Sequence, residues 1–93
     1  MPLPAGLVVL SRVGCGLCEQ MLVELAELEQ AGRIPATRVL DVDSDADLAR
    51  QYGLKVPVLL LDGSVICHYT LNSQELLRLL APRTGQGAAI IPR

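Results

Sequence analysis

Two cysteines, Cys15 and Cys18, stand three residues apart in the stretch SRVGCGLC, directly after the apolar run LVVL. A pair at this spacing can serve as a redox dithiol, as half of a metal site or as a structural disulfide. The surroundings decide what each option would need. If Cys15 caps a helix, its sulfur lies among unpaired backbone N–H groups at the positive end of the helix dipole, which favour thiolate over thiol. Cys18 then falls in the first turn, within disulfide reach and less open to an outside partner, as a resolving thiol requires. Gly14 and Gly16 carry no side chains, so a substrate disulfide can approach Cys15 in line, and Leu17 offers a small apolar surface. Arg12 adds positive charge nearby. Zinc would need four ligands, and only Cys67 and His68 remain to complete the set. Neighbours on a strand point to opposite faces, so these two cannot turn toward one metal. No metal site is expected. Cys67 reads as a small buried hydrophobe and His68, the single histidine, as a solvent-facing side chain.

The elements that must position the pair follow from periodicity. Leu7 to Leu10 is a continuous apolar run of the kind buried on both faces of a sheet. From Cys15 onward, Leu17, Met21, Leu25 and Leu28 recur at helical spacing, with Gly32 as the C-cap. Thr37 to Val42 reads as a second strand, and DVDSDAD leads through good N-cap residues to a short helix stopped at Gly53. The alternating aspartates lack the Gly at the sixth position and the Glu at the twelfth that a calcium loop requires, so a solvated, helix-capping loop is expected. Val56 to Leu61 is a strand, Asp62-Gly63 a hairpin turn, and Ser64 to Tyr69 the returning strand. A last helix is expected over Gln74 to Leu80. The result is a βαβ unit followed by a ββα unit, an α/β domain over residues 1–81 with a mixed four-stranded sheet flanked by helices, and a loose tail over 82–93. The right-handed crossover of the first unit sets the start of the first helix, and with it Cys15, at the carboxyl end of the first strand.

Composition excludes several roles. A chain of 93 residues makes one domain, and a net charge of −2 with a single Lys leaves no basic stripe for nucleic acid or an anionic membrane. The longest apolar runs are about six residues against the ~20 that span a bilayer. The start MPLPAG has no basic region ahead of an apolar one, and three cysteines are an odd number, so a reducing, cytoplasmic setting is expected.

Pro57, preceded by Val56, opens a strand that should lie beside the first. In the cis form it would present the Val56 N–H and C=O to an extended partner backbone. A strand running into GCxxC at a helix start, a Val-Pro some 40 residues later, then Asp-Gly and a C-terminal helix resemble the thioredoxin superfamily, and the small glutaredoxin-like proteins most. LDVD, QYGL and VPVLLLDG carry the resemblance through the middle of the chain, which it covers over about residues 5 to 81.

The resemblance implies a thioredoxin-like fold and thiol-disulfide oxidoreductase activity, with Cys15 as nucleophile, Cys18 as resolving thiol and Pro57 cis. It also implies substrate contacts at Arg12, Gly16, Leu17, Lys55, Val56 and Pro57. Glutathione is implied as a possible cosubstrate rather than a tightly bound cofactor. The partners are a disulfide-containing protein or glutathione and a recycling reductant, and the chain is expected to be a monomer. A non-catalytic module that holds a thiol ligand, a partner peptide or a shared iron-sulfur cluster is the alternative. Gly16-Leu17 differs from the Gly-Pro of thioredoxins and the Pro-Tyr of glutaredoxins. Val9 stands where thioredoxins carry a buried Asp, and Tyr69 to Ser73 stands where glutaredoxins carry Gly-Gly-x-Asp-Asp.

Overall fold

The computed structural model describes residues 3–88. In chain order the elements are β1 (Leu7–Ser11), α1 (Gly16–Gln30), β2 (Thr37–Asp41), one 3-10 turn (Val42–Ser44), α2 (Ala46–Tyr52), β3 (Val58–Leu61), β4 (Ser64–His68) and α3 (Ser73–Ala88). The sheet order is β2-β1-β3-β4, with β1 parallel to β2 and antiparallel to β3, and β3 antiparallel to β4. This is the four-stranded mixed sheet of a thioredoxin-like fold.

β1 is central, and Leu7 to Leu10 are all buried because both faces of the sheet are covered. The period of two divides the core. Leu7, Val9 and Leu59 pack with Met21 and Leu25 of α1 and Leu76 and Leu80 of α3. Val8, Leu10, Val58 and Leu60 face the other way, onto Val42 and Leu48. Each such Leu or Val, fully buried, contributes roughly 1.5–3 kcal/mol of transfer free energy. No polar or charged residue is buried among the described residues.

Several details differ from expectation, each for a local reason. β3 starts at Val58 rather than Val56, because Pro57 has no N–H to give the ladder. β4 stops at His68, because Tyr69 adopts φ 71° and leaves the extended region. On α1 the buried line runs Cys18, Met21, Leu25; Leu17 sits at its margin and is exposed. α3 continues to Ala88, well past the expected end at Leu80: Pro82 removes one backbone donor while keeping a helix-compatible φ. Of the tail expected at 82–93, residues 82–88 are thus helical and 89–93 lie outside the described residues.

The remaining connections have the expected chemistry. The Asp62-Gly63 turn has φ of 51° and 86°, the doubly positive pattern of a type I′ hairpin. α1 ends in a Schellman pattern, Gly32 N–H donating to Glu29 C=O and Arg33 N–H to Leu28 C=O. In the aspartate run, Asp41 accepts from Asp43 N–H, and Asp45 caps α2 by accepting from Asp47 and Leu48 N–H. These carboxylates serve backbone capping, as the plain loop expectation has it.

Candidate active site at the Cys15–Cys18 pair

The turn that leaves β1 places the first cysteine. Arg12 C=O accepts the Cys15 N–H at 3.3 Å, closing the four residues Arg12, Val13, Gly14 and Cys15. Gly14 has φ 79°, the value that the third position of a type II turn requires and that side-chain-bearing residues avoid. Cys15 follows in extended conformation as the N-cap of α1, and its Sγ accepts the Cys18 N–H at 3.1 Å. Sulfur here takes the place of a capping oxygen, satisfying one of the orphan donors of the first turn.

The two cysteines form a disulfide across a Cα–Cα distance of 5.2 Å. They are not equivalent. Cys18 is fully buried at the head of the α1 core line, whereas Cys15 is partly exposed, flanked by exposed Gly16 and Leu17. A partner in solvent can reach only the first sulfur of the pair.

Beneath the pair, Val9 is completely buried among Met21, Leu25 and Leu59. No polar or charged residue is buried among the described residues, so no buried carboxylate stands beside Cys18 as a proton acceptor.

The facing wall is the start of β3. The register pairs Leu10 with Val58, and continuing it by one residue sets Pro57 opposite Ser11, at the same end of the sheet as the Cys15 turn. The Val56-Pro57 bond is cis, as the resemblance implied. Pro57 is buried, and its C=O accepts the Tyr69 N–H at 2.9 Å. Val56 is half-buried, and neither its N–H nor its C=O has a hydrogen-bond partner among the described residues. Lys55 is exposed beside it, and its ammonium makes no ion pair among the described residues.

Arg12 ties the turn before Cys15 to Asp43 and to the end of α2 at Gly53. Its Nε and Nη2 donate to the two carboxylate oxygens of Asp43 at 2.8 and 2.9 Å, and its Nη1 donates to Gly53 C=O at 2.8 Å. This bidentate pairing is the strongest arrangement available to a guanidinium and a carboxylate. The hydrogen bond from Arg12 holds the Asp43 carboxyl below its ordinary range. Gly53 must be small here: a Cβ would meet Ala49 O at 2.4 Å and Arg12 Nη2 at 3.2 Å.

Cys67 and His68 lie apart from this arrangement. Cys67 pairs with Leu59 across the sheet and packs against the α1 and α3 core, where burial pushes its thiol up. His68 is exposed and meets the Tyr69 ring edge-on, centroids 4.6 Å apart. Among the described residues no group of three or more His, Cys, Asp or Glu side chains converges on a point where a metal could sit.

The structure thus brings Cys15, Gly16, Leu17 and Cys18 together at the head of α1 and sets Val56 and Pro57 across from their turn. Three contributors escaped the sequence: Asp43, Gly53 and Tyr69. Asp43 sits within a run of capping aspartates and is 31 residues from the arginine it holds. Tyr69 carries a positive φ that its residue type does not advertise, and its hydroxyl donates to Leu54 C=O at 3.3 Å.

Residues 6–81 match the family model described as a glutaredoxin-like domain (DUF836). The chain is similar to protein Ne2328 from Nitrosomonas europaea, solved by solution NMR, at 34% identity and a TM-score of 0.70, over 85% of this chain and 94% of that one. It is also similar to protein XcR50 from X. campestris, solved by X-ray crystallography, at 31% identity and a TM-score of 0.62, over 83% and 97% of the two chains. No curated protein matches it.

Proposed function

The chain belongs to the glutaredoxin-like domain family, and on that footing we propose that it is a thiol-disulfide oxidoreductase working through Cys15 and Cys18. The observation that carries the proposal is the inequality of the two sulfurs: one caps a helix and is open to solvent, the other is sealed in the core three residues on.

In the proposed cycle the Cys15 thiolate attacks one sulfur of a substrate disulfide. A mixed disulfide forms and the first substrate thiolate leaves. Cys18, deprotonated by solvent or by the leaving thiolate, then attacks Cys15 Sγ. The second substrate thiol departs and the Cys15–Cys18 disulfide remains. Two electrons pass from the dithiol to the substrate, and an external thiol reductant returns them. The substrate is a protein disulfide or a glutathione mixed disulfide, with glutathione as a possible cosubstrate.

Gly16 and Leu17 border the exposed sulfur. Val56 offers an N–H and C=O that are unpaired among the described residues, along the opposite wall beside Pro57, with Lys55 and Arg12 as the nearby cations. No helix among the described residues is long and apolar enough to cross a membrane. We place the activity in a reducing cytoplasmic setting, carried out by a monomer that takes neither nucleic acid nor membrane as a partner.

The absence of a buried acid at Val9 supports one alternative, a module that holds a thiol ligand, a peptide or a shared cluster without efficient turnover. Insulin reduction by dithiothreitol, followed by turbidity, separates the two. The native chain should accelerate it and the Cys15→Ser variant should not. A native rate equal to that of dithiothreitol alone would favour the module, and iron and colour in the isolated protein would point to a cluster.

A further inference from the structure

A small anionic thiol compound can be held beside Cys15 only if its carboxylates meet a cation that is free to receive them. Lys55, exposed beside Val56 and without an ion pair among the described residues, is a lone ammonium of this kind; the guanidinium nearest Cys15 is not. Arg12, three residues ahead of Cys15, is the cation built into the turn, and its Nε/Nη2 edge is filled by the chain's own Asp43. Its Nη1 donates to Gly53 C=O, which fixes the guanidinium from a second side. Asp43 does not arrive by chance orientation. Its N–H is held by Asp41 Oδ1 at 2.8 Å, and Ser44 Oγ donates to Asp41 C=O at 2.6 Å, so the 3-10 turn presents the carboxylate already fixed.

Beside the turn, Glu19 and Asp41 line a shallow hollow together with Arg12. With Arg12 neutralised by Asp43, that hollow repels an anion. Apart from the Lys55 ammonium, what remains open at the pair is uncharged. Leu17, Val13 and Leu54 are exposed apolar side chains, and the Val56 N–H and C=O have no hydrogen-bond partner among the described residues.

Resting on the proposed redox role of Cys15 and Cys18, we infer that Asp43 is the specificity-determining residue of the site. It occupies the Arg12 fork against ligand carboxylates and so directs Cys15 toward protein disulfides held through main chain and apolar contacts, away from glutathione-class anionic thiols. A ligand carboxylate must compete with one that is already bidentate and that, being intramolecular, has no association entropy to lose.

The test uses S-methylglutathione and its diethyl ester, thioethers that cannot exchange with the dithiol, titrated into the full chain and followed by NMR. The native chain should bind free acid and ester within about threefold of each other, as expected where the one cation left open at the pair is the exposed Lys55. Asp43→Asn should bind the free acid about tenfold more tightly than the native chain does, and Arg12→Met added to it should abolish the gain. A native chain that already prefers the free acid by about tenfold would overturn the inference. So would an Asp43→Asn chain that gains nothing. The acid-against-ester comparison on the native chain needs no variant to fold. Because no sulfur exchange occurs, failure of the redox proposal would register in the insulin assay and not in this titration.

Discussion

Cys18 donates its backbone N–H to Cys15 Sγ at 3.1 Å, so the sulfur that caps α1 is also the one that reaches solvent. In the reduced chain the same donor and the helix dipole favour a thiolate on Cys15, while the buried Cys18 stays protected. The third cysteine is a built-in control, since burial pushes the Cys67 thiol up and keeps it protonated at neutral pH. Iodoacetamide applied to the reduced chain at neutral pH, with labelled peptides mapped by mass spectrometry, should modify Cys15 on the order of ten times faster than Cys67. Equal rates at the two positions would remove the electrostatic activation.

The Arg12–Asp43 pair carries a pH signature. Its hydrogen bond lowers the Asp43 carboxyl from the ordinary 3.8. A depressed carboxylate stabilises the fold above its ordinary value and loses that contribution as pH falls through the lowered one. Native and Asp43→Asn chains should therefore differ in melting temperature at neutral pH, with the native higher, and converge as the pH falls through the lowered carboxyl pKa. Both side chains are partly exposed, so the difference should be modest and should shrink with added salt. A gap that persisted at low pH would assign it to something other than this charge pair.

Two glycines near the pair should fail in different ways. At Gly14 a Cβ would meet nothing within 4 Å, but the φ of 79° is unfavourable for any other residue. Gly14→Ala should cost about 1–2 kcal/mol from backbone conformation alone. At Gly53 the φ is an ordinary −57°, and the obstacle is Ala49 O at 2.4 Å. Gly53→Ala should cost roughly 1–3 kcal/mol from overpacking. It should also abolish the Arg12-dependent pH signature, which Gly14→Ala should leave in place. Urea denaturation of the two variants at neutral and acidic pH checks both statements.

Much of this architecture was legible in the chain because it is local. The run Leu7 to Leu10, the helical recurrence of Met21 and Leu25, the Asp62-Gly63 turn and the Gly32 cap each follow from periodicity or backbone preference within a few residues. The seat of Cys15 at the helix start was legible for the same reason, and the resemblance supplied the cis bond at Pro57. What was hidden depends on distance or on backbone state. Nothing near Arg12 announces a partner 31 residues away, and a reading of nearby residues alone treats the guanidinium as free charge beside the thiolate. Tyr69 looks like one more strand residue until its positive φ ends β4. The length of α3 beyond Leu80 was hidden by Pro82, a residue that usually ends a helix and here lies inside one.

The central claim is that Cys15 is the attacking sulfur and Cys18 the resolving one, and intact-mass analysis of a Cys18→Ser chain tests it most directly. Reduced and then exposed to a peptide disulfide, that chain should accumulate a single stable mixed disulfide mapped to Cys15, while the native chain under the same conditions should release both peptide thiols and end as the Cys15–Cys18 disulfide. A Cys18→Ser chain that captures nothing, or that carries its adduct on Cys67, would contradict the account.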